Sequence, residues 1–252
     1  MNIGIIGVGV IGSAIVKGFC YNNNQEHQLF ISPRGEQLSL ELSATYNQVT
    51  RCKNNQEVLD QSEYVILSVL PQMGMEIISE LSFRKDHKVI NLMSDKKLED
   101  IKAVIGKTSA LVHMVPLSFI SNRKGPIALY PRNDDIICLM DKLGDVIAVD
   151  EVGKIESIAA ITGLMTSYYA LMHDIANWGC AHDLTQEESK SYTTYFFEAL
   201  STHARDSDLE VLSTEMTPGG LNERALKYIH QQNGFKPWVD ILDPILEGLR
   251  KK

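Results

Sequence analysis

Three glycines near the start of the chain are the residues whose type and spacing best support chemistry. An apolar run, Ile3–Ile6, leads directly into Gly7-x-Gly9-x-x-Gly12, and a helix-compatible segment follows. In this strand–turn–helix context, Gly7 allows a tight turn, Gly9 lets the backbone approach a pyrophosphate, and Gly12 permits close helix packing. The unpaired N–H groups of the first helical turn, at Val10, Ile11 and Gly12, would face the phosphates. The pattern predicts a dinucleotide-binding turn.

The turn after the second predicted strand bears on which dinucleotide binds. An acidic residue there selects NAD, whereas Arg and small hydroxyls accommodate a 2′-phosphate. Here Ser32 and Arg34 occupy the turn, and no carboxylate precedes Glu36. The sequence therefore predicts NADP (as NADPH), with NAD less favoured. A second cofactor contact is expected where the fourth strand ends, at Ser68, Val69 and Pro71.

Composition restricts the class of protein. The chain has 252 residues and a formal net charge of −8, and no basic block offers a face for nucleic acid. Its four cysteines are far apart in sequence, so we expect neither a metal site nor a disulfide scaffold. We expect buried free thiols instead. We expect no signal peptide, no membrane span and a cytoplasmic location, with a small molecule as substrate.

The order of predicted elements divides the chain. Strands and helices alternate up to Val149, which indicates a mainly parallel sheet covered on both faces. The rest reads as helical, including one long, apolar run from Gly153 to about His182 and a helix capped at Thr185. The predicted class is α/β: a Rossmann-type doubly wound sheet in residues 1–150, followed by an all-α domain in residues 151–252. Because a helix that is apolar nearly all round must be buried, we expect a homodimer through the helical domain.

Several segments, in order and at matching spacing, resemble the pyrroline-5-carboxylate reductase family. Besides the glycine turn, they are Ser68–Gln72, Val112–Pro116, Ala159–Gly163 followed by Tyr168, and Thr217–Gly220. The resemblance covers nearly the whole chain, and the Thr-Pro-Gly-Gly loop is its most specific part. It implies a dimeric enzyme in which NAD(P)H delivers hydride to a cyclic C=N bond.

The chain departs from the family pattern where substrate is expected to bind. Leu117 stands in place of the family's Asn, His113 in place of an Arg, and Leu221 and Asn222 in place of two threonines. Fixed hydrogen-bond donors have thus been replaced, whereas a substrate carboxylate needs them. We therefore expect an imine substrate other than the proline precursor.

Candidate site residues follow from the same motifs. His113, Thr162 and Tyr168 are candidates for catalysis, because an imine nitrogen that becomes an amine needs a proton donor nearby. The candidates for substrate binding are Ser118, Asp174, Thr217, Gly219 and Gly220. Structural roles remain open for each: His113 could be satisfied within the sheet edge, and the glycines could form a plain turn. Asp174 is expected to have a partner or to face a cavity, since a buried unpaired carboxylate is costly.

Two further interpretations remain open. One is a reductase of C=O or alcohol groups of the β-hydroxyacid dehydrogenase type, although neither Lys154 nor Lys190 lies where that class places its lysine. The other is a regulatory protein that binds NADPH without catalysis, which the loss of the Asn and the paired threonines favours.

Overall fold

The computed structural model describes residues 1–251, which form two compact units. The first comprises Met1–Ile158 with the chain end from Leu249, and the second is Ala159–Gly248. The functional division into a cofactor domain (1–150) and a dimerisation domain (151–252) stays a prediction.

An eight-stranded sheet forms the centre of the first unit, in the order β3-β2-β1-β4-β5-β6-β7-β8. The strands are β1 (Asn2–Ile6), β2 (Gln28–Ile31), β3 (Val49–Arg51), β4 (Tyr64–Leu67), β5 (Lys88–Asn91), β6 (Ala110–Val115), β7 (Pro126–Tyr130) and β8 (Asp145–Ala148). All neighbours pair in parallel except β6 and β7, which are antiparallel. The predicted mainly parallel, Rossmann-type sheet is confirmed.

Helices connect the strands and cover the sheet. They are α1 (Val10–Phe19), α2 (Glu36–Thr45), α3 (Asn55–Gln61), α4 (Pro71–Ser79), α5 (Leu98–Ile105) and α6 (Asp134–Met140), and α7 (Val152–Thr162) follows the last strand. Alternate residues of β1 belong to two separate apolar clusters, with Ile3 and Ile5 in one and Ile6 in the other. This alternation is what a strand buried on both faces requires.

The second unit is helical, as predicted. Its further helices are α8 (Met165–Cys180), α9 (Gln186–Ala204), α10 (Leu209–Thr214), α11 (Leu221–Gln231), α12 (Lys236–Asp240) and α13 (Leu242–Arg250). The predicted cap at Thr185 is confirmed, because its hydroxyl accepts the Glu188 N–H at 3.2 Å. The Glu188 carboxylate accepts the Thr185 N–H at 2.8 Å in return, which completes a capping box.

The prediction of one long helix from Gly153 to about His182 is wrong. The chain forms two helices there, α7 and α8, with a break at Gly163. The Thr162 hydroxyl donates to the Ala159 carbonyl at 2.6 Å, and the Gly163 N–H donates to the Ala160 carbonyl at 3.0 Å. The backbone bond of Gly163 is of the i→i−3 type that tightens and ends a helix. Similarly, the chain end from Lys236 to Leu249, whose sequence also predicts one helix, forms two, α12 and α13.

The cysteines are free, as expected, but only two are buried. Cys20 and Cys52 lie in the core, where burial raises the pKa of each thiol to about 11. Cys138 and Cys180 are exposed, which corrects the expectation of buried thiols. Among residues 1–251, no helix combines the length and apolar character that a membrane span needs.

Candidate active site

The glycine turn joins β1 to α1 with the geometry that its spacing predicts. Gly7 has φ +97°, and a Cβ there would lie 2.3 Å from the Ser68 carbonyl oxygen. At Gly12 a Cβ would lie 2.2 Å from the Gly7 carbonyl oxygen, so these two positions exclude a side chain. A Cβ at Gly9, in contrast, would meet nothing within 4 Å, and no side chain caps α1. The first turn of α1 thus presents backbone N–H groups to open space, with Val10 exposed and Ile11 half-buried.

The turn after β2 is tied to the glycine turn. Ser32 is fully buried, and its hydroxyl accepts the Gly7 N–H at 3.0 Å. The Ser32 acceptor is therefore used inside the protein, and Arg34 is the exposed cation of this turn. Arg51, on β3, donates from Nη2 to the Pro33 carbonyl at 3.3 Å and so braces the turn from the neighbouring strand.

The cofactor contact predicted at the end of the fourth strand, at Ser68, Val69 and Pro71, follows β4. The Ser68 N–H donates to the Ile6 carbonyl at 2.8 Å, which places Ser68 beside the end of β1. Val69 approaches both Gly7 and Gly74, where built Cβ atoms would lie 3.0 Å and 3.2 Å from its methyl groups. Pro71 is the first residue of α4, a position where its missing N–H has no cost. These residues line the same sheet edge as the glycine turn.

His113 belongs to a row of residues that crosses the sheet at this edge. In the strand register, Ile6 pairs with Leu67, Leu67 with Asn91, and Asn91 with His113. His113 is half-buried, and its Nδ1 lies 3.1 Å from Nδ2 of the fully buried Asn91. Burial lowers the pKa of His113 to about 4, against a weaker opposing effect of a hydrogen bond with the Asn91 backbone. The imidazole is therefore neutral at pH 7.

Three candidate residues of the second unit lie on α7 and α8: Thr162, Tyr168 and Asp174. The Thr162 hydroxyl donates to the Ala159 carbonyl of its own helix. Tyr168 is half-buried against the Phe197 ring, edge to face at 5.7 Å, and burial raises the pKa of its phenol. Asp174 was expected to need a partner or a cavity because a buried unpaired carboxylate is costly. In a single chain its side chain is exposed, so that cost does not arise.

The Thr-Pro-Gly-Gly loop uses its own N–H groups. The Gly219 N–H donates to the Glu223 carboxylate at 2.5 Å, and the Gly220 N–H donates to the Thr217 carbonyl at 2.9 Å. The Glu223 carboxyl has a lowered pKa, first because of Lys227 and then because of the Gly219 N–H. An external anion would have to displace Glu223 from Gly219. In the first unit, the substrate candidate Ser118 is exposed and begins a 3-10 turn, Ser118–Asn122.

Sequence reasoning missed three residues of the first unit that bear on this edge: Asn91, Arg51 and Lys53. Asn91 ends a strand that was correctly predicted, but its partner is 22 residues away, so only the strand register reveals the pair. Arg51 and Lys53 lie on or after β3, a strand that the sequence did not indicate.

Comparisons with known proteins relate the chain to nucleotide-dependent reductases. The family model described as "NADP oxidoreductase coenzyme F420-dependent" matches residues 2–95, which is less than half of the chain. A pyrroline-5-carboxylate reductase of Corynebacterium melassecola is 21% identical over 247 residues, covering 91% of this chain and 90% of that protein.

Solved structures share the fold over the whole chain. A 1-pyrroline-5-carboxylate reductase of Streptococcus pyogenes matches with a TM-score of 0.83 at 19% identity, covering 100% of this chain and 99% of the other. A Plasmodium falciparum pyrroline carboxylate reductase with NADP bound matches with a TM-score of 0.83 at 15% identity, covering 100% and 97%. The resemblance to the pyrroline-5-carboxylate reductase family is thus confirmed, and so is the fold class.

Proposed function

We propose that this chain is an NAD(P)H-dependent reductase of C=N bonds, of the pyrroline-5-carboxylate reductase type. The observation that carries the proposal is the open glycine turn at the head of α1, in a chain that shares its fold with those reductases over its full length. The curated relative of that name supports the same reaction class.

The residues at the sheet edge fit a dinucleotide. The N–H groups at the start of α1 and the space over Gly9 would hold the pyrophosphate, where the helix dipole favours negative charge. Ser68 and Val69 would border the bound cofactor on the β4 side. When bound, the nicotinamide supplies the hydride that an imine carbon accepts.

We further propose that the preferred cofactor is NADPH. Arg34 and Lys53 line one cleft of about 290 Å³ beside the β2 turn, together with Pro33 and Asn54. Two cations at one cleft favour a phosphate group, and Arg34 can bind it bidentately. Glu80 also lines the cleft, so the local charge is mixed and Arg34 carries the preference.

The proposed substrate is an imine without a carboxylate. Leu117, Leu221 and Asn222 stand where the resembled family has an Asn and two threonines. In addition, the Glu223 carboxylate already occupies the Gly219 N–H. An anionic group at this loop would have to displace the Glu223 carboxylate, which also pairs with Lys227, whereas a neutral group would not. Ser118, Thr162, Tyr168, Asp174 and Thr217 remain proposed contacts, on the strength of the resemblance.

A homodimer through the helical unit is part of the proposal. Exposed apolar side chains recur on α8 and α9, including Trp178 (64% exposed) and Tyr195 (70% exposed). Large exposed apolar surfaces mark interfaces. Light scattering should give twice the chain mass, and Tyr195→Glu should reduce that mass to one chain. A monomeric wild-type protein would contradict the dimer.

Cofactor oxidation with a panel of acceptors tests the function. The panel contains cyclic imines with and without a carboxylate, and small ketones, each with NADPH and with NADH. We expect turnover on carboxylate-free imines with NADPH. Turnover confined to ketones would replace the proposal by a carbonyl reductase, and tight NADPH binding without any turnover would favour a regulatory role.

A further inference from the structure

The pair formed by Asn91 and His113 carries an inference about how the histidine acts. The two residues are directly paired across β5 and β6, at the same sheet edge as the glycine turn, from which β4 separates them. Asn91 is fully buried, and its side-chain nitrogen lies 3.1 Å from His113 Nδ1. A buried amide that contacts an imidazole constrains which ring nitrogen carries the proton.

The neighbouring residue Met93 fixes the orientation of the Asn91 amide. The Met93 N–H can only donate, and it lies 3.0 Å from Asn91 Oδ1, so that atom must be the oxygen. Nδ2 is therefore the atom that donates to the Met93 carbonyl at 3.2 Å and faces His113. The amide nitrogen Nδ2 can donate hydrogen bonds but cannot accept them. His113 Nδ1 must therefore be the acceptor, and the ring proton must be on Nε2.

We propose that Asn91 is a positioning residue that holds His113 as the neutral Nε2–H tautomer and so makes it a hydrogen-bond donor toward the acceptor in imine reduction. The inference rests on the proposed function for its acceptor, but the tautomer itself is a property of the chain alone. Apart from its contacts with Asn91, His113 makes no hydrogen bond within residues 1–251, and part of its surface is exposed, so a bound molecule can reach the Nε2 proton. Its acceptor is a carbonyl oxygen or an imine nitrogen lone pair.

The surroundings of His113 oppose a charged ring. Protonation of Nδ1 would place its N–H against the Nδ2 protons of Asn91, and burial disfavours the imidazolium independently. No ionisable side chain contributes to the pKa of His113. His113 therefore does not deliver a proton at neutral pH: the neutral imine nitrogen accepts the Nε2–H hydrogen bond, hydride adds to the imine carbon, and the nitrogen takes its proton from water.

Nitrogen NMR of the full chain, labelled with ¹⁵N-histidine, tests the tautomer without any substrate. Loss of a signal in His113→Gln assigns the resonance. His87 is an internal reference, because its Nδ1 accepts the Arg84 N–H at 3.1 Å and its Nε2 faces the Leu59 carbonyl at 3.1 Å. We expect His113 to show protonated Nε2, unprotonated Nδ1 and no titration between pH 8 and pH 5. A protonated Nδ1 in the wild-type protein would overturn the proposal.

Asn91→Asp tests whether Asn91 sets this state. A carboxylate still accepts the Met93 N–H but turns an acceptor towards Nδ1, so we expect the ring proton to move to Nδ1 and the pKa of His113 to rise. Asn91→Ala, which removes the donor, should give both tautomers and serves if the Asp variant does not fold. The His87 signals report folding in each. An unchanged His113 tautomer in a folded variant would show that Asn91 does not set it.

Activity then separates donation of a hydrogen bond from proton transfer. His113→Gln keeps an N–H donor, whereas His113→Phe has none. We expect Gln to retain kcat within about threefold and Phe to lose on the order of 10-fold, with the wild-type pH profile flat where an imidazolium would titrate. Equal losses in both variants would contradict the donor role. Absence of turnover in the wild-type protein itself would refute the proposed function, whereas the NMR experiment tests the tautomer independently of any substrate.

Discussion

Ser32 and Arg34 show how two neighbouring side chains can divide one expected role. Both were predicted to contact a 2′-phosphate, and the structure commits the buried Ser32 hydroxyl to the Gly7 N–H instead. Ser32 therefore supports the glycine turn, while the exposed Arg34 remains available to an anion. The type of residue was informative from sequence, but the partner of Ser32 lies 25 residues away and only the fold supplies it.

Arg34→Ala should selectively weaken NADPH binding. Losing a charge-assisted contact to a phosphate costs on the order of 2 kcal/mol, or roughly 30-fold in Kd, whereas NADH binding should barely change. Calorimetric titration of both cofactors measures the difference. The control is Arg132→Ala, an exposed arginine that pairs with Asp134. Equal losses for NADPH and NADH would contradict the assignment of Arg34 to the 2′-phosphate.

At the scale of elements, two glycines of the same turn, Gly9 and Gly12, should affect different properties: one cofactor binding, the other stability. Gly12→Ala should destabilise the protein, because its Cβ would lie 2.2 Å from the Gly7 carbonyl oxygen. Gly9→Ala should leave the melting temperature unchanged, because its Cβ meets nothing, yet weaken NADPH binding by filling the space over the helix N-terminus.

Thermal unfolding and cofactor titration of both variants measure this contrast. Gly248→Ala, in α13, provides the control for a glycine whose Cβ also meets nothing within 4 Å. If Gly9→Ala binds NADPH as tightly as the wild-type protein, the pyrophosphate does not lie over Gly9.

Elements with a strong apolar pattern were predictable, and short or polar ones were not. The strands β1, β4 and β5 are apolar runs buried on both faces, so the sequence indicated them clearly. β3 has three residues, two of them polar, and was missed together with α3. The break at Gly163 was missed because the apolar pattern continues on both sides and no proline marks the end, although a glycine after two β-branched residues is a signal for a helix end.

At the scale of the molecule, three partly or fully buried histidines couple stability to pH. Burial lowers the pKa of His27, His87 and His113 below the ordinary value of 6.5, to about 4 for His113. As pH falls below about 6.5, the unfolded chain therefore takes up protons that the folded chain does not, and the free energy of unfolding decreases.

Melting temperatures between pH 7.5 and pH 5 measure this linkage. We expect a steady decrease below about pH 6.5 and a shallower one in His113→Gln, which lacks one of the three groups. A melting temperature that is constant or rises on acidification would contradict neutral, buried histidines.

The central claim, hydride transfer to a C=N bond, is tested most directly by following the hydrogen itself. The protein is supplied with NADPH carrying two deuterium atoms at C4 and with a carboxylate-free cyclic imine, and the amine product is examined by mass spectrometry and NMR. The proposed function predicts one deuterium on the former imine carbon, and less deuterated amine from Gly9→Ala at a limiting NADPH concentration. Tight binding of NADPH with no deuterated amine from any imine would contradict it.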